Sequence, residues 1–245
     1  MKSIFLENDI MEILASIYAG EQIDDAERSR KKEKLEELLS KGELFDEDNK
    51  ADSGMMQLLV EAYLKSRTRL VVMLHKEDRI VKRGYYLEDD VIVMLDAYRD
   101  GGELMWLPSV KYLVGSIADM LSTLTIECER EEFAGEFAVY CNEEDYMDVL
   151  AYSVPEGKYR QLLQEEDSQA PYLWMHGKST VNESESFIYV TFKDSVAYYF
   201  RQEEERFTYG TVDYPALVNI LGHWMLTQHR ELIMKMESEG EEDVL

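Results

Sequence analysis

The sequence is poor in the residues that build irregular structure, cross-links and metal sites. Its 245 residues include 4 prolines, 2 cysteines and 4 histidines. So few prolines argue against long linkers or a fold dominated by loops. The two cysteines, Cys128 and Cys141, indicate reduced, buried thiols of a cytoplasmic protein more than a disulfide scaffold, because so few cannot staple a chain of this length.

Long hydrophobic runs are also lacking. No stretch approaches the roughly 18 consecutive apolar residues of a membrane-spanning helix. The first residues, Met1–Asn8, have neither the basic start, nor the apolar run, nor the small-residue cleavage site of a secretory signal. We therefore expect a cytoplasmic protein with no membrane insertion.

Positive charge is scarce. Lys and Arg together number 26 against 51 Asp and Glu, which gives a net charge of −25. Nucleic acids and anionic membranes are bound through basic surfaces, so neither is an expected partner. A strongly acidic surface favours a cationic or mixed protein partner, although the same charge could serve solubility alone.

The sequence motifs of common catalytic and metal sites are absent. There is no H-E-x-x-H, no C-x-x-C and no G-x-S-x-G. His223 and His229 would lie about 240° apart around a helix, so they cannot share one metal ion. Gly101 and Gly102 have acidic neighbours and fit a hairpin turn better than a phosphate-binding loop. We expect no metal, no cofactor and a non-enzymatic protein; a catalytic site assembled from dispersed residues is the alternative.

Apolar residues recur at helical spacing in several segments. Predicted helices cover Glu7–Tyr18, Asp25–Ser40, a segment capped by Asp52, a segment that follows Pro108 and ends at Leu121, and a long helix capped by Asp213 that ends near Met236. Between these helices the pattern is ambiguous in one region, where Phe133–Tyr140 fits either a strand or a helix and Asn142 or Glu143 could start a further helix.

Two groups of short runs rich in Val, Ile, Leu, Phe and Tyr are separated by charged turns, which predicts two antiparallel meanders. The first group is Arg69–Leu74, Arg79–Tyr86, Val91–Ala97 and Leu104–Leu107, and the second is Tyr172–His176, Phe187–Lys193, Ser195–Gln202 and Arg206–Val212.

A weak internal repeat links the two meanders. Val91–Leu121 and Val196–Leu226 have equal length, and each has a strand, a charged turn, a second strand and a helix. Chance is the alternative explanation, since a meander followed by a helix is a common arrangement. We predict an α+β fold of two quasi-symmetric halves, each an antiparallel β-meander with flanking helices. The halves are residues 1–125 and 126–245, and we expect them to form one compact unit.

Aromatic side chains are frequent on the predicted strands. Adjacent residues of a strand point to opposite faces of a sheet, so Tyr198 and Phe200 share one face and Tyr199 lies on the other. Either both faces are covered and these rings belong to the core, or one face presents aromatic rings to solvent. An exposed aromatic face would be typical of a protein-binding surface.

Three segments of the first half resemble a known family. They are Phe5–Leu14 with Gly20 after it, Gly54–Tyr63 leading into the meander, and the strand Val91–Leu95 with the helix after Pro108. Together they resemble the start of the EspG-type cytoplasmic chaperones of type VII (ESX) secretion, including their firmicute relatives of unknown function. The second half is similar to the family in architecture. Because the family has two quasi-symmetric α+β halves, the resemblance implies the same fold as the internal repeat.

The resemblance also implies a chaperone or adaptor that holds a secreted helical substrate in the cytoplasm for export. Family members grip the substrate with a loop between the second and third strands of the first half, which here is short. We expect the partner protein to contact this loop, an exposed sheet face and the last helix. The predicted partner-binding residues are Leu87, Glu88, Asp89, Asp90, Tyr198, Phe200 and Trp224.

The charge of the chain suggests a second function. Immunity proteins that neutralise a toxin by direct binding are often acidic α+β domains, because an acidic surface complements a basic active site. An immunity protein is therefore the alternative to a chaperone.

Overall fold

A computed structural model of the chain shows the architecture. The residues that it describes are 3–7, 53–76, 79–89, 91–98, 101–136, 153–155, 157–164, 170–203 and 206–242, with isolated positions between 26 and 37.

Four helices have full bounds within the described residues. They are α1 (Ser53–Lys65), α2 (Val110–Leu121), α3 (Lys158–Gln164) and α4 (Tyr214–Glu242). Asp213 caps α4 as predicted, since its Oδ1 accepts a hydrogen bond of 2.7 Å from the main-chain N–H of Ala216. The isolated positions inside the predicted helix Asp25–Ser40 are helical. The predicted helix Glu7–Tyr18 lies outside the described residues beyond Glu7.

Ten strands lie within the described residues. They are β1 (Ser3–Glu7), β2 (Thr68–Lys76), β3 (Arg79–Glu88), β4 (Val91–Tyr98), β5 (Gly101–Leu107), β6 (Glu131–Glu136), β7 (Tyr172–Ser179), β8 (Ser184–Lys193), β9 (Val196–Glu203) and β10 (Arg206–Thr211). All eight strands of the two predicted meanders are confirmed. The strand β1 was not predicted, and β6 resolves part of the ambiguous region Phe133–Tyr140 in favour of a strand.

The order of elements repeats along the chain. The described elements run β1-α1-β2-β3-β4-β5-α2 and then β6-α3-β7-β8-β9-β10-α4. The first strand of each series pairs antiparallel with the last strand of the same series, β1 with β5 and β6 with β10. This order confirms an α+β fold built from two similar series of elements.

The chain divides into two compact units that do not follow the two halves of the sequence. The first unit contains Met1–Arg67 and Arg83–Ser109, and the second contains Thr68–Lys82 and Val110–Leu245. The second unit therefore includes β2 and α2 from the first series of elements, because β2 pairs with β7 and α2 packs against α4.

In the first unit, α1 packs on β4 and β5. Its buried face includes Leu59, Val60 and Tyr63. The ring of Tyr63 meets the ring of Tyr86 edge-on, with 4.4 Å between their centroids. These contacts bury the apolar stripe of α1, which the sequence predicted from its helical spacing.

In the second unit, the strands are hydrogen-bonded in the order β2-β7-β8-β9-β10-β6. Two neighbouring residues of the edge strand β6, Glu131 and Glu132, accept side-chain hydrogen bonds on opposite faces of the sheet. The hydroxyl of Tyr199 donates to Glu132 over 2.7 Å, and on the other face Lys158 and Tyr159 donate to Glu131 over 3.1 and 3.2 Å. These bonds lower the pKa of both carboxyl groups: that of Glu132 chiefly through Tyr199 and Arg130, and that of Glu131 chiefly through Lys158 and Tyr159.

The lowered pKa values predict an acid-sensitive edge strand. A carboxyl whose pKa in the folded state is lowered stabilises the fold above its unfolded value of 4.5, and this stability is lost as the pH falls through the lowered pKa. We expect Glu132→Gln to destabilise the protein near neutral pH and to have a much smaller effect in acid, where the wild-type carboxyl is protonated. Urea denaturation over a pH series measures this difference. A difference that does not change with pH would show that the ionised carboxylate does not stabilise β6.

Candidate functional site

The central strands of the second unit have two very different faces. Buried and half-exposed residues alternate along the whole of β7, and along β2 from its first residue to His75. In β7, for example, Leu173, Met175 and Gly177 are buried, whereas Trp174 and His176 are half-exposed. Because successive side chains of a strand point to opposite faces, one face of this sheet is covered and the other is partly open.

The covered face lies under the helices. Both β2 and β7 contact α4, and Trp224 of α4 lies directly on Gly177. A Cβ atom at position 177 would stand 2.8 Å from the indole ring, so only glycine leaves room for it. Trp224 is 5% exposed. Its side chain is therefore a core contact between α4 and the sheet, and its role as a partner contact stays a prediction.

Further along the second unit the opposite face is covered as well. The short helix α3 lays Tyr159 and Leu163 onto β8, β9 and β10, where Phe187, Phe200 and Phe207 are buried with Val154. Phe200 is fully buried, and its contact with a partner stays a prediction. Tyr198 lies on the same face as Phe200, as predicted, and is half-exposed at the border of this cluster.

The rest of this face is not covered to the same degree, and we call it the half-exposed face. It consists of Arg69, Val71, Met73 and His75 on β2, Tyr172, Trp174, His176 and Lys178 on β7, and Glu185 and Tyr189 on β8. Direct cross-strand pairing joins its middle, because Met73 faces Trp174 and Trp174 faces Tyr189. A methionine, a tryptophan and a tyrosine therefore lie side by side across three strands.

Ring contacts hold this aromatic surface in place. The ring of His75 stacks on Tyr172 with 4.9 Å between centroids, and the ring of Trp174 lies 5.8 Å from that of Phe187. The ring of His176 also stacks on Phe187, with 4.5 Å between their centroids. Rigid, partly exposed aromatic side chains are the residues that dominate binding energy in protein interfaces, since they bury a large area at a small entropic cost.

One end of the half-exposed face is polar. The Nε2 atom of His176 lies 2.7 Å from a carboxylate oxygen of Glu185, and the Nζ atom of Lys178 lies 3.9 Å from the same oxygen. Desolvation raises the pKa of Glu185, and the charge of Arg69 opposes this shift. Charged groups from three adjacent strands therefore meet at this end, whereas the remainder of the face carries no Asp, Glu, Lys or Arg.

The predicted loop between β3 and β4 is a tight turn in the first unit. Leu87 belongs to β3 and is 1% exposed, and its contact with a partner stays a prediction. Asp89 has a φ of 51° and accepts a hydrogen bond of 2.9 Å from Arg67, whose Nε is also 3.5 Å from Glu88. Asp90 lies outside the described residues.

Among the described residues, no group of three or more His, Cys, Asp or Glu side chains is placed to hold a metal ion. No helix in the same part of the chain is long and apolar enough to cross a membrane. What the half-exposed face can do chemically is bind, through aromatic rings, a thioether and a few charges at one end.

The sequence left open whether the aromatic face with Tyr198 and Phe200 belongs to the core or is exposed. It did not predict a partner contact on β2 or β7, where Met73 and Trp174 lie on the half-exposed face. One signal was available, because Val71, Met73 and His75 alternate with the apolar Leu70, Val72 and Leu74 and so put large side chains on both faces of one strand. The pairing of β2 with β7 was not available from local pattern.

Comparisons with known proteins agree with this architecture. No protein-family model and no curated protein sequence matches the chain. Among solved structures, it is similar to the type VII secretion system chaperone EspG5 of Mycobacterium tuberculosis, in its complex with the PE25-PPE41 dimer. The match covers 93% of this chain and 96% of that chain, with a TM-score of 0.51 and 8% sequence identity. The chain therefore has an EspG-like fold.

Proposed function

We propose that the chain is a non-enzymatic chaperone or adaptor that binds a secreted helical protein in the cytoplasm and holds it for type VII export. The observation that carries the proposal is the half-exposed face of β2, β7 and β8, which presents Met73, Trp174 and Tyr189 together. The fold supports it, because EspG5 is a chaperone that was solved with a bound protein dimer.

Binding to this face exploits the difference between the two sides of the sheet. The helix side is closed by Trp224 and its neighbours, so the proposed contact with a partner lies on the opposite side. A partner that covers Met73, Trp174 and Tyr189 removes apolar surface from water, which contributes roughly 25 cal/mol for each Å². The rings need little rearrangement, since those of Tyr172 and Trp174 already contact neighbouring rings in the free protein.

Affinity capture of the tagged chain from its native cells, followed by deletion of its gene, tests this function. We expect the captured partner to be a helical secreted protein that disappears from the culture medium of the deletion strain. The acidic charge of −25 keeps an immunity protein as the alternative. A captured toxin that is still secreted after the deletion, and now kills its producer, would replace the chaperone by an immunity protein.

The turn between β3 and β4 remains a proposed secondary contact. We expect charge reversal at Glu88, Asp89 and Asp90 to weaken partner binding without unfolding the protein. The reversal also removes the ion pairs of Arg67, but this arginine is 40% exposed and such pairs stabilise a fold by less than about 1 kcal/mol. Titration of the partner against the triple variant measures the affinity, with circular dichroism as the folding control. An unchanged affinity would remove this turn from the site.

A further inference from the structure

The strand β6 is the last strand of the sheet in the second unit. It pairs with β10 along one edge, and within the described residues no strand pairs with its other edge. The side chains of Glu131, Glu132, Phe133 and Ala134 are all exposed. An edge strand of this kind presents unpaired main-chain N–H and C=O groups, which are a template for a further strand.

Two contacts with β10 show which main-chain groups of β6 face the open edge. The N–H of Glu131 donates to Oγ1 of Thr211 over 3.0 Å, and a Cβ atom on Gly210 would collide with the carbonyl oxygen of Glu131. The main-chain groups of Glu131 therefore point toward β10. Because this direction alternates along a strand, those of Glu132 and Ala134 point away from β10, to the open edge.

These outward groups can bond to those of a second copy of the same strand. An antiparallel pairing of two copies about a two-fold axis at Phe133 places Glu132 of each copy opposite Ala134 of the other. In this register the N–H and C=O groups of both residues meet as hydrogen-bonded pairs. The open edge of β6 is therefore complementary to itself in its main chain.

The charges of β6 also match in this register. Like charges directly opposite each other would prevent two acidic edge strands from pairing. A two-fold axis at Phe133 instead places Arg130 opposite Glu136 and Glu131 opposite Gly135. A cationic residue thus stands opposite an acidic one at each end, and no two carboxyl groups are directly opposed. The sequence around β6 fits a second copy of itself.

Phe133 supplies apolar surface at the axis. It is 46% exposed, and its ring lies 5.5 Å from that of Tyr209 and 5.8 Å from that of Tyr159. In the two-fold pairing the two Phe133 residues oppose each other without a main-chain hydrogen bond, which is the kind of pair whose side chains come closest. Their contact removes apolar surface from water.

We infer that the chain forms a two-fold symmetric dimer through antiparallel pairing of β6 with the β6 of a second copy. The charge of −25 on each copy opposes association. At physiological ionic strength, however, exposed charges more than about 8 Å apart are largely screened, whereas paired strands lie about 4.8 Å apart. The inference goes beyond the proposed function and does not depend on it, because the dimer needs no other protein.

Sedimentation velocity of the purified full-length chain measures the dimer. We expect a monomer–dimer equilibrium between about 1 and 100 μM protein. Ala134→Pro removes an N–H that faces outward, a position where an edge strand tolerates proline, and should raise the dissociation constant at least about 30-fold. Ala134→Ser keeps this N–H and is the matched control, which should dimerise like the wild-type chain. A wild-type chain that is monomeric throughout this range would overturn the inference.

Two charge variants test the register. Arg130→Glu puts a second carboxylate opposite Glu136, and Glu136→Arg puts a second cation opposite Arg130, so each variant alone should dimerise about tenfold more weakly than the wild type. An equimolar mixture should form a heterodimer, because every opposed pair then has opposite charges. Native mass spectrometry detects the heterodimer, and circular dichroism checks that each variant is folded. A mixture without heterodimer would overturn the pairing of β6 with itself.

Further results separate this inference from other occupants of the edge and from the proposed function. If the wild-type chain is monomeric and Ala134→Pro weakens binding of the captured partner, the edge binds a strand of that partner. The dimer is then overturned and the proposed function stands. If the chain dimerises as expected but no exported partner is captured, the dimer stands and the proposed function fails.

Discussion

Replacing Trp224 by alanine should lower the free energy of unfolding by about 3–5 kcal/mol, as is typical for a buried tryptophan. The indole ring is 5% exposed and lies on the main chain of β7 at Gly177. The surrounding sheet cannot collapse into the space that the ring leaves, because β7 is held by hydrogen bonds to β2 and β8. The expected loss is a large part of the total stability of a domain.

Urea denaturation of the purified protein measures this loss. Leu226→Ala is the matched control, because Leu226 lies on the same helix two residues away and is 38% exposed. We expect the control to change stability by well under 1 kcal/mol, as most surface substitutions do. A Trp224→Ala variant with unchanged stability and weakened partner binding would show that Trp224 is an interface residue and contradict its place in the core.

Replacing Trp174 by alanine should have the opposite profile, with a large loss of partner affinity and a small loss of stability. Buried tryptophans at the centre of an interface commonly contribute 2 kcal/mol or more to binding, so we expect a loss of at least about 30-fold. In the free protein the side chain is half-exposed, and we expect its removal to cost only about 1 kcal/mol of stability.

Trp106→Ala is the matched control for this variant. Trp106 is also a half-exposed tryptophan on a strand, but it belongs to β5 of the first unit. We expect this control to bind the partner like the wild-type chain in calorimetric titration. Equal losses of affinity in the two variants would indicate a general effect of losing an aromatic ring, and would contradict binding of the partner to the half-exposed face.

Much of the fold could be predicted because its signals are local. Runs such as Val91–Ala97 alternate or cluster apolar residues between charged turns, and Asp213 stands where a cap is needed before the apolar stripe of α4. The strand β1 was missed for a related reason. It is an edge strand defined by its pairing with β5, about a hundred residues later in the sequence, and five residues carry too little pattern to reveal it.

The candidate site could not be predicted in the same way, since burial is decided by distant segments. Tyr198 and Phe200 were correctly assigned to one face, but α3 covers Phe200 and leaves Trp174 half-exposed. The half-exposed face itself exists only because β2 pairs with β7 over a separation of 111 residues, as between Thr68 and Ser179. Neither strand alone shows in its sequence which of its faces a helix will cover.

The role of the half-exposed face is tested most directly by the export of the captured partner. The strain for this test has the gene of this chain deleted and replaced by the gene of the Trp174→Ala variant. The wild-type gene should restore the partner to the culture medium. The variant should accumulate in the cells as a folded protein and leave the partner absent from the medium, because the half-exposed face no longer holds it. Export restored to the wild-type level by the variant would contradict the claim that this face carries the chaperone function.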